Sequence, residues 1–117
     1  MSQARKRNTS RSVWSLCREW RQENLRAQFE ASMLDEGDDK GIDRIVSVAH
    51  ANMEELEAQI IEAAPTTEDL DEAQAALNIA LAIMRENAVN TGRAEAIIRS
   101  VHRGLNSVRN AVERSAA

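Results

Sequence analysis

The side chains that most often carry chemistry, cysteine and histidine, are few in this chain. Its 117 residues include one cysteine, Cys17, and two histidines, His50 and His102. Neither histidine has an acid or a thiol at a helical spacing that would build a nucleophile or a ligand set. Cys17 lies between Trp14 and Trp20 on one apolar stripe, where a thiol behaves as a small hydrophobic side chain. We therefore expect no enzyme and no cofactor.

Carboxylates are plentiful, and the densest group follows the first helical segment. Residues 35 to 41, Asp-Glu-Gly-Asp-Asp-Lys-Gly, loosely resemble a calcium loop. Aligning Gly41 with the glycine of such a loop puts Lys40 at a ligand position and Ser47 at the closing acid, so the ligands are wrong. We expect a solvated turn and no metal. The carboxylates of the next helix, Glu54, Glu55 and Glu57, are expected on a solvent face.

Charge is divided into three blocks along the chain. Residues 1–26 hold seven Lys or Arg against two Glu, residues 27–72 hold two against fourteen acids, and residues 73–117 hold six Arg against three Glu. The acidic patch of the middle block is a candidate surface for a basic partner. Its central residues are Asp35, Glu36, Asp38 and Asp39.

The basic start of the chain is a candidate nucleic-acid arm. Several cations close together release counterions from a phosphate backbone, but no DNA-binding motif accompanies them here. Residues 1–9 have no apolar periodicity, so we interpret them as a flexible arm ahead of a single domain over residues 10–117. The candidate contacts are Arg5, Lys6, Arg7 and Arg11.

Two tryptophans and two arginines at the start of the first helix form a candidate interface. Trp and Arg are typical anchors of protein–protein contacts, although tryptophans on an apolar stripe also cap bundle cores. The four residues are Trp14, Arg18, Trp20 and Arg21. Both the core and the interface interpretation stay open for the two tryptophans.

The elements that would position these residues are helices, because apolar side chains recur at spacings of three and four. The first ladder, Val13, Leu16, Cys17 and Trp20, slips by one position and continues as Leu25, Phe29 and Met33. The second runs Ile42, Val46, Ala49, Met53, Leu56, Ile60 and Ala63, and the third Leu70, Ala73, Leu77, Leu81, Met84 and Ala88. The last runs Ala94, Ile98, Val101, Leu105, Val108 and Val112.

Signals at the ends of these ladders set the expected helix boundaries. Ser10 or Ser12 is a candidate N-cap for the first helix. Pro65, the only proline, separates the second ladder from the third and predicts a helical hairpin, with Thr66 and Asp69 acting as a capping box. Asn90, Thr91 and Gly92 favour a break before the last helix, although its ladder also fits one continuous helix.

We expect an all-α antiparallel bundle of four helices, or of three with one long C-terminal helix. Its core must be built largely from alanine and aliphatic side chains, since Trp14, Trp20 and Phe29 are the only aromatic residues. Alanine buries little area, so we expect a homodimer. One unpaired thiol is compatible with a reducing cytoplasm, and no run approaches the roughly 20 apolar residues of a membrane span.

The helix-joining segment also carries a family resemblance. The segment Glu-Ala-Gln-Ile-Ile-Glu-Ala-Ala-Pro-Thr-Thr-Glu-Asp-Leu and the later Ile-Ile-Arg-Ser-Val-His-Arg-Gly-Leu resemble small uncharacterised helical proteins of alphaproteobacterial genomes and prophages. The resemblance covers roughly residues 50 to 110. It implies a bacterial or phage setting and a mobile-element neighbourhood, and it lends no activity to this chain because none is established for the family.

These observations predict a protein that acts by contact and not by catalysis. The first hypothesis is a protein–protein interaction module, such as a regulator or inhibitor of a host protein. The alternatives are a DNA-associated accessory protein that uses the basic arm, and a structural assembly subunit.

Overall fold

The computed structural model describes residues 12–63, 69–86 and 91–116, and it places four α-helices in them. Helix α1 is Val13–Ser32, α2 is Asp39–Ala63, α3 is Leu70–Glu86 and α4 is Gly92–Ala116. The predicted all-α bundle of four helices is confirmed. No helix in these ranges is long and apolar enough to cross a membrane.

Side chains before α1 and α2 cap free backbone N–H groups at the start of each helix. The Ser12 hydroxyl accepts a hydrogen bond from the Ser15 amide, which confirms one of the two predicted caps. Asp38 accepts from the Gly41 amide, so α2 begins three residues before the predicted Ile42. The Thr91 carbonyl accepts the Glu95 amide as α4 begins.

The predicted capping box would begin α3 at Thr66 or Thr67, but α3 begins at Leu70. The carboxylate of Asp69 accepts the Asp71 amide at 2.8 Å, and the Asp69 carbonyl accepts the Ala73 amide, so Asp69 is the N-cap and Leu70 the first helical residue. An aspartate is as good an N-cap as a threonine, and here it lies closer to the apolar ladder. Thr66 and the rest of 64–68, including Pro65, lie outside the described residues.

The four helices pack as two antiparallel pairs. Helix α1 packs most closely on α2 and α3 on α4, and smaller contacts join α1 to α3 and α2 to α4. Asn52 of α2 donates to Glu23 of α1, and Glu57 of α2 accepts from Trp20 of α1, so residue numbers fall along one helix as they rise along the other. A simple hairpin at Pro65 would make α2 and α3 each other's main packing partners. Instead, α2 packs mainly on α1, and α3 packs mainly on α4.

The shared core covers only part of each pair. Its buried residues fall within 13–20 of α1, 49–60 of α2, 73–80 of α3 and 94–104 of α4. Residues 21–48, the far end of the α1/α2 pair, contain no fully buried residue. We call this part the hairpin tip, and the two pairs are offset so that α3 and α4 do not enclose it.

Helix α3 turns a different face to the core than its leucine ladder predicts. The buried residues are Ala73, Ala75, Ala76, Ile79 and Ala80, whereas Leu70, Leu77, Leu81 and Met84 are exposed. Small side chains allow helices to approach closely, so an alanine face can pack against the large residues of neighbouring helices. The leucine ladder is amphipathic, as predicted, but it faces outwards.

Candidate functional site

The outward face of α1 combines large apolar side chains with arginines. Spacings of four, three, four and four residues place Trp14, Arg18, Arg21, Leu25 and Phe29 on one side of the helix. All five are exposed, with Trp14 at 50%, Leu25 at 63% and Phe29 at 65%. We call this set the α1 face.

The position of this face follows from the slip in the apolar ladder after Trp20. A core stripe would continue from Trp20 through Ala27 and Ala31, which are half-buried. Leu25 and Phe29 lie on the opposite side of the helix from Trp20, so the slipped ladder does not pack as one continuous stripe. The slip separates a core stripe from an exposed one.

The start of the α1 face is held in place by the neighbouring helix. The Trp14 backbone amide donates a 2.8 Å hydrogen bond to Oε2 of Glu72 on α3, which satisfies one of the free N–H groups at the start of α1. The indole of Trp14 stays half-exposed above this anchor. Arg18 and Arg21 form no ion pair with any described residue, so their charges are open to solvent.

Trp20 does not belong to this face. It is 2% exposed, and its indole Nε1 donates a 2.9 Å hydrogen bond to Oε2 of Glu57 on α2. The core interpretation is therefore correct for Trp20. Of the four candidate interface residues, only Trp14, Arg18 and Arg21 share an exposed surface. The expected solvent position of Glu57 is also wrong, because its side chain is buried.

Glu57 lies at the base of a polar cleft that sequence reasoning missed. The cleft, of about 340 Å³, is also lined by His50, Glu54 and Arg93. Arg93 contacts Glu54 at 3.0 Å and Glu57 at 3.9 Å. Burial raises the pKa of Glu57, while the hydrogen bond from Trp20 and the charge of Arg93 oppose that rise. His50 looked isolated in sequence, but it shares this cleft with Glu54 and Glu57, four and seven residues further along α2, and its charge also opposes the rise in the pKa of Glu57. Those two helical spacings were the available signal.

The charged side chains of this cleft pair with one another. A carboxyl group with a raised pKa is suited to proton transfer, but both oxygens of Glu57 already face donors, one on Trp20 and one on Arg93. No group of three or more potential ligand side chains in the described ranges is arranged to hold a metal ion.

Cys17 is a core residue of α1. Its side chain is 2% exposed, and desolvation by burial raises its pKa to about 11. The thiolate, which is the reactive form, is therefore scarce at neutral pH. The thiol packs with the apolar cluster as the sequence predicted.

One of the acids at the turn between α1 and α2 has a structural role as a helix cap. Asp35, Glu36, Asp38 and Asp39 are all exposed. Gly37 takes a positive φ of 93°, which permits the reversal, and Asp38 caps α2. The four acids thus lie together at the end of the hairpin tip.

The basic arm lies outside the described residues. This applies to all four of its candidate contacts, Arg5, Lys6, Arg7 and Arg11.

Comparison of the chain with models of protein families, with curated proteins and with solved structures found no match to any of them.

Proposed function

We propose that this protein is a non-enzymatic interaction module that docks a partner protein on the α1 face. The observation that carries the proposal is the exposure of Trp14, Leu25 and Phe29 on one side of a helix, interleaved with Arg18 and Arg21. Aromatic residues and arginine are the groups that most often anchor protein interfaces.

The size of the apolar surface supports this role. The exposed parts of the three large side chains amount to on the order of 400 Å², which is within the range of functional surface patches on soluble proteins. Exposing this much apolar surface costs free energy in water, and a partner that covers it recovers that free energy.

The charges specify the chemistry of the partner. Arg18 and Arg21 form no ion pair with a described residue, so carboxylates on the partner would form ion pairs with them. The matching surface is an apolar groove that accepts the indole and phenyl rings and carries acids along its rim. Such charges set partner choice and speed association more than they add affinity.

The test compares capture of partners from an extract of the source cells by three forms of the protein. The Leu25→Ser/Phe29→Ser variant removes the apolar anchors. The control, Val48→Ser, makes a similar change at an exposed side chain on α2 away from the α1 face. We expect one partner to bind the wild type and the control and to lose about tenfold or more of its binding to the double variant.

Binding of the purified partner should then be measured in rising salt and with Arg18→Gln/Arg21→Gln. We expect weaker binding in both cases, because the surface charges are screened or removed. Equal binding by all variants would contradict the proposal. Retention of the protein on DNA, with loss upon deletion of residues 1–11, would instead favour the DNA-associated alternative.

A further inference from the structure

A second apolar surface lies on the outer side of α3, away from the α1 face. Leu70, Leu77, Leu81 and Met84 follow one another at spacings of seven, four and three, which places them on one side of the helix. They are 71%, 38%, 46% and 39% exposed. We call these four residues, with Gln74 between them, the α3 face.

Charged residues are missing from the helix around this face. The twelve residues from Ala73 to Met84 contain no Asp, Glu, Lys or Arg, and the charges of α3 lie at its two ends. A helix with a solvent-exposed side normally carries charges there, whereas the centres of protein interfaces are depleted of them.

We propose that two copies of this chain form a two-fold symmetric dimer by packing their α3 faces together in antiparallel orientation around Leu77. A two-fold contact places the same surface on both sides, so the surface must be complementary to itself. If the face were charged, like charges from the two copies would repel each other near the two-fold axis. The α3 face has no charged residue, so this repulsion does not arise.

The polar residues of the α3 face are also compatible with contact to a second copy of the chain. Gln74, and Asn78 at its edge, are amides, which both donate and accept hydrogen bonds and can therefore pair with their counterparts in a second copy. A partner selected by charge, such as the one proposed for the α1 face, would find nothing to recognise here. This second proposal does not depend on the first.

The area is sufficient for a stable contact. The exposed parts of the five residues of the α3 face come to roughly 500 Å² per copy, so two copies bury on the order of 1,000 Å² before any polar rim is counted, which is about the minimum for a specific interface. Six of the fifteen buried apolar residues described in one chain are alanine, which buries little area, so a second copy can add to the stability of the fold.

The first experiment measures the mass of the full chain by sedimentation over a range of concentrations. We expect the wild type to have twice the mass of the 13.0 kDa chain, and Leu81→Asp to raise the dimer dissociation constant about tenfold or more. The control, Leu25→Ser/Phe29→Ser, should remain a dimer. A wild type that stays at the mass of one chain up to about 0.5 mM overturns the proposal.

A cross-link locates the contact even if Leu81→Asp does not fold. Leu77→Cys places a thiol beside its counterpart at the two-fold axis, within reach of a disulfide, whereas Arg103→Cys places one on an exposed side of α4. Cys17 is buried and does not compete. Mild oxidation should yield a covalent dimer of Leu77→Cys and little of Arg103→Cys. Equal cross-linking of both, or a dimer lost only when the α1 face is changed, would overturn the α3 assignment.

Discussion

The indole Nε1 of Trp20 on α1 donates a 2.9 Å hydrogen bond to Oε2 of Glu57 on α2, and both side chains are buried. Each residue gives the other the polar partner that burial requires, so this bond lets a tryptophan and a carboxylate share an otherwise alanine-rich core. The bond also fixes which part of α1 packs against which part of α2.

This relationship predicts how stability changes with pH. The pKa of Glu57 is raised above 4.5 in the folded chain, so the folded state holds this proton more tightly than the unfolded state does. The contribution of Glu57 to stability is therefore greatest below that value and declines as pH rises through the folded-state pKa. Glu57→Gln keeps an acceptor for Trp20 but cannot ionise, so its stability should decline less between about pH 4 and pH 7.

Urea unfolding of both proteins at several pH values checks this expectation. Glu55→Gln is the matched control, because the same change is made on an exposed side chain of the same helix. A parallel decline of Glu57→Gln and wild type would show that the carboxyl group does not control this part of the pH dependence. Glu57→Ala, which leaves the indole N–H without its acceptor, should cost about 1–3 kcal/mol.

Cys17 should resist thiol reagents while the protein is folded. Its side chain is buried and its pKa is raised to about 11, so both access and thiolate are limited at pH 8. The rate of modification, followed with a chromogenic disulfide reagent, should be far below that of a free thiol and should rise to the free value in denaturant. Rapid modification of the native protein would mean that the start of α1 opens readily.

The N-cap of α2 predicts that Gly41→Ala lowers the free energy of unfolding when Asp38 is present and raises it when Asp38 is replaced by alanine. Asp38→Ala should reduce the free energy of unfolding by about 1 kcal/mol, because the Gly41 amide loses its acceptor. Gly41→Ala would place its Cβ 2.7 Å from Oδ2 of Asp38, so it should disturb the cap and destabilise the wild type. In the Asp38→Ala background the obstacle is absent, and Gly41→Ala should stabilise α2 through its higher helix propensity, by up to about 1 kcal/mol.

A double-mutant cycle from thermal or urea unfolding measures this coupling. Gly37→Ala serves as a comparison, since it should destabilise in both backgrounds owing to its φ of 93°. Additive effects of the Asp38 and Gly41 substitutions would contradict the cap geometry.

The outward orientation of the α3 leucines gives a prediction for the single chain. Ala80 is 1% exposed, so Ala80→Leu should overfill the core and destabilise by about 1–3 kcal/mol. Leu70 is 71% exposed, so Leu70→Ala should change stability by only about 0.5 kcal/mol. Unfolding measured at low protein concentration separates these effects from association. A larger loss for Leu70→Ala than for Ala80→Leu would place the leucine ladder in the core.

Local chemistry determined much of this protein from its sequence alone. Spacing of apolar residues identified the helical segments, because a helix that packs must repeat its apolar positions every three or four residues. Ser12 was one of two candidate caps, and the turn predicted over 35–41 is present as far as Asp38, after which α2 begins at Asp39. Both signals were readable because these residues act on the backbone beside them. The break before Gly92 was favoured for the same reason and is confirmed.

Only the tertiary structure decided which amphipathic face became the core. Helix α3 offers an alanine face and a leucine face, and the choice depends on how closely its neighbours approach, which no local pattern records. The offset between the two pairs likewise leaves the hairpin tip without fully buried residues, whereas Trp20 and Glu57, in the shared section, are buried together. The sequence could therefore propose Trp14, Arg18 and Arg21 as a surface, but Leu25, Phe29 and the α3 face became candidates only when packing showed them uncovered.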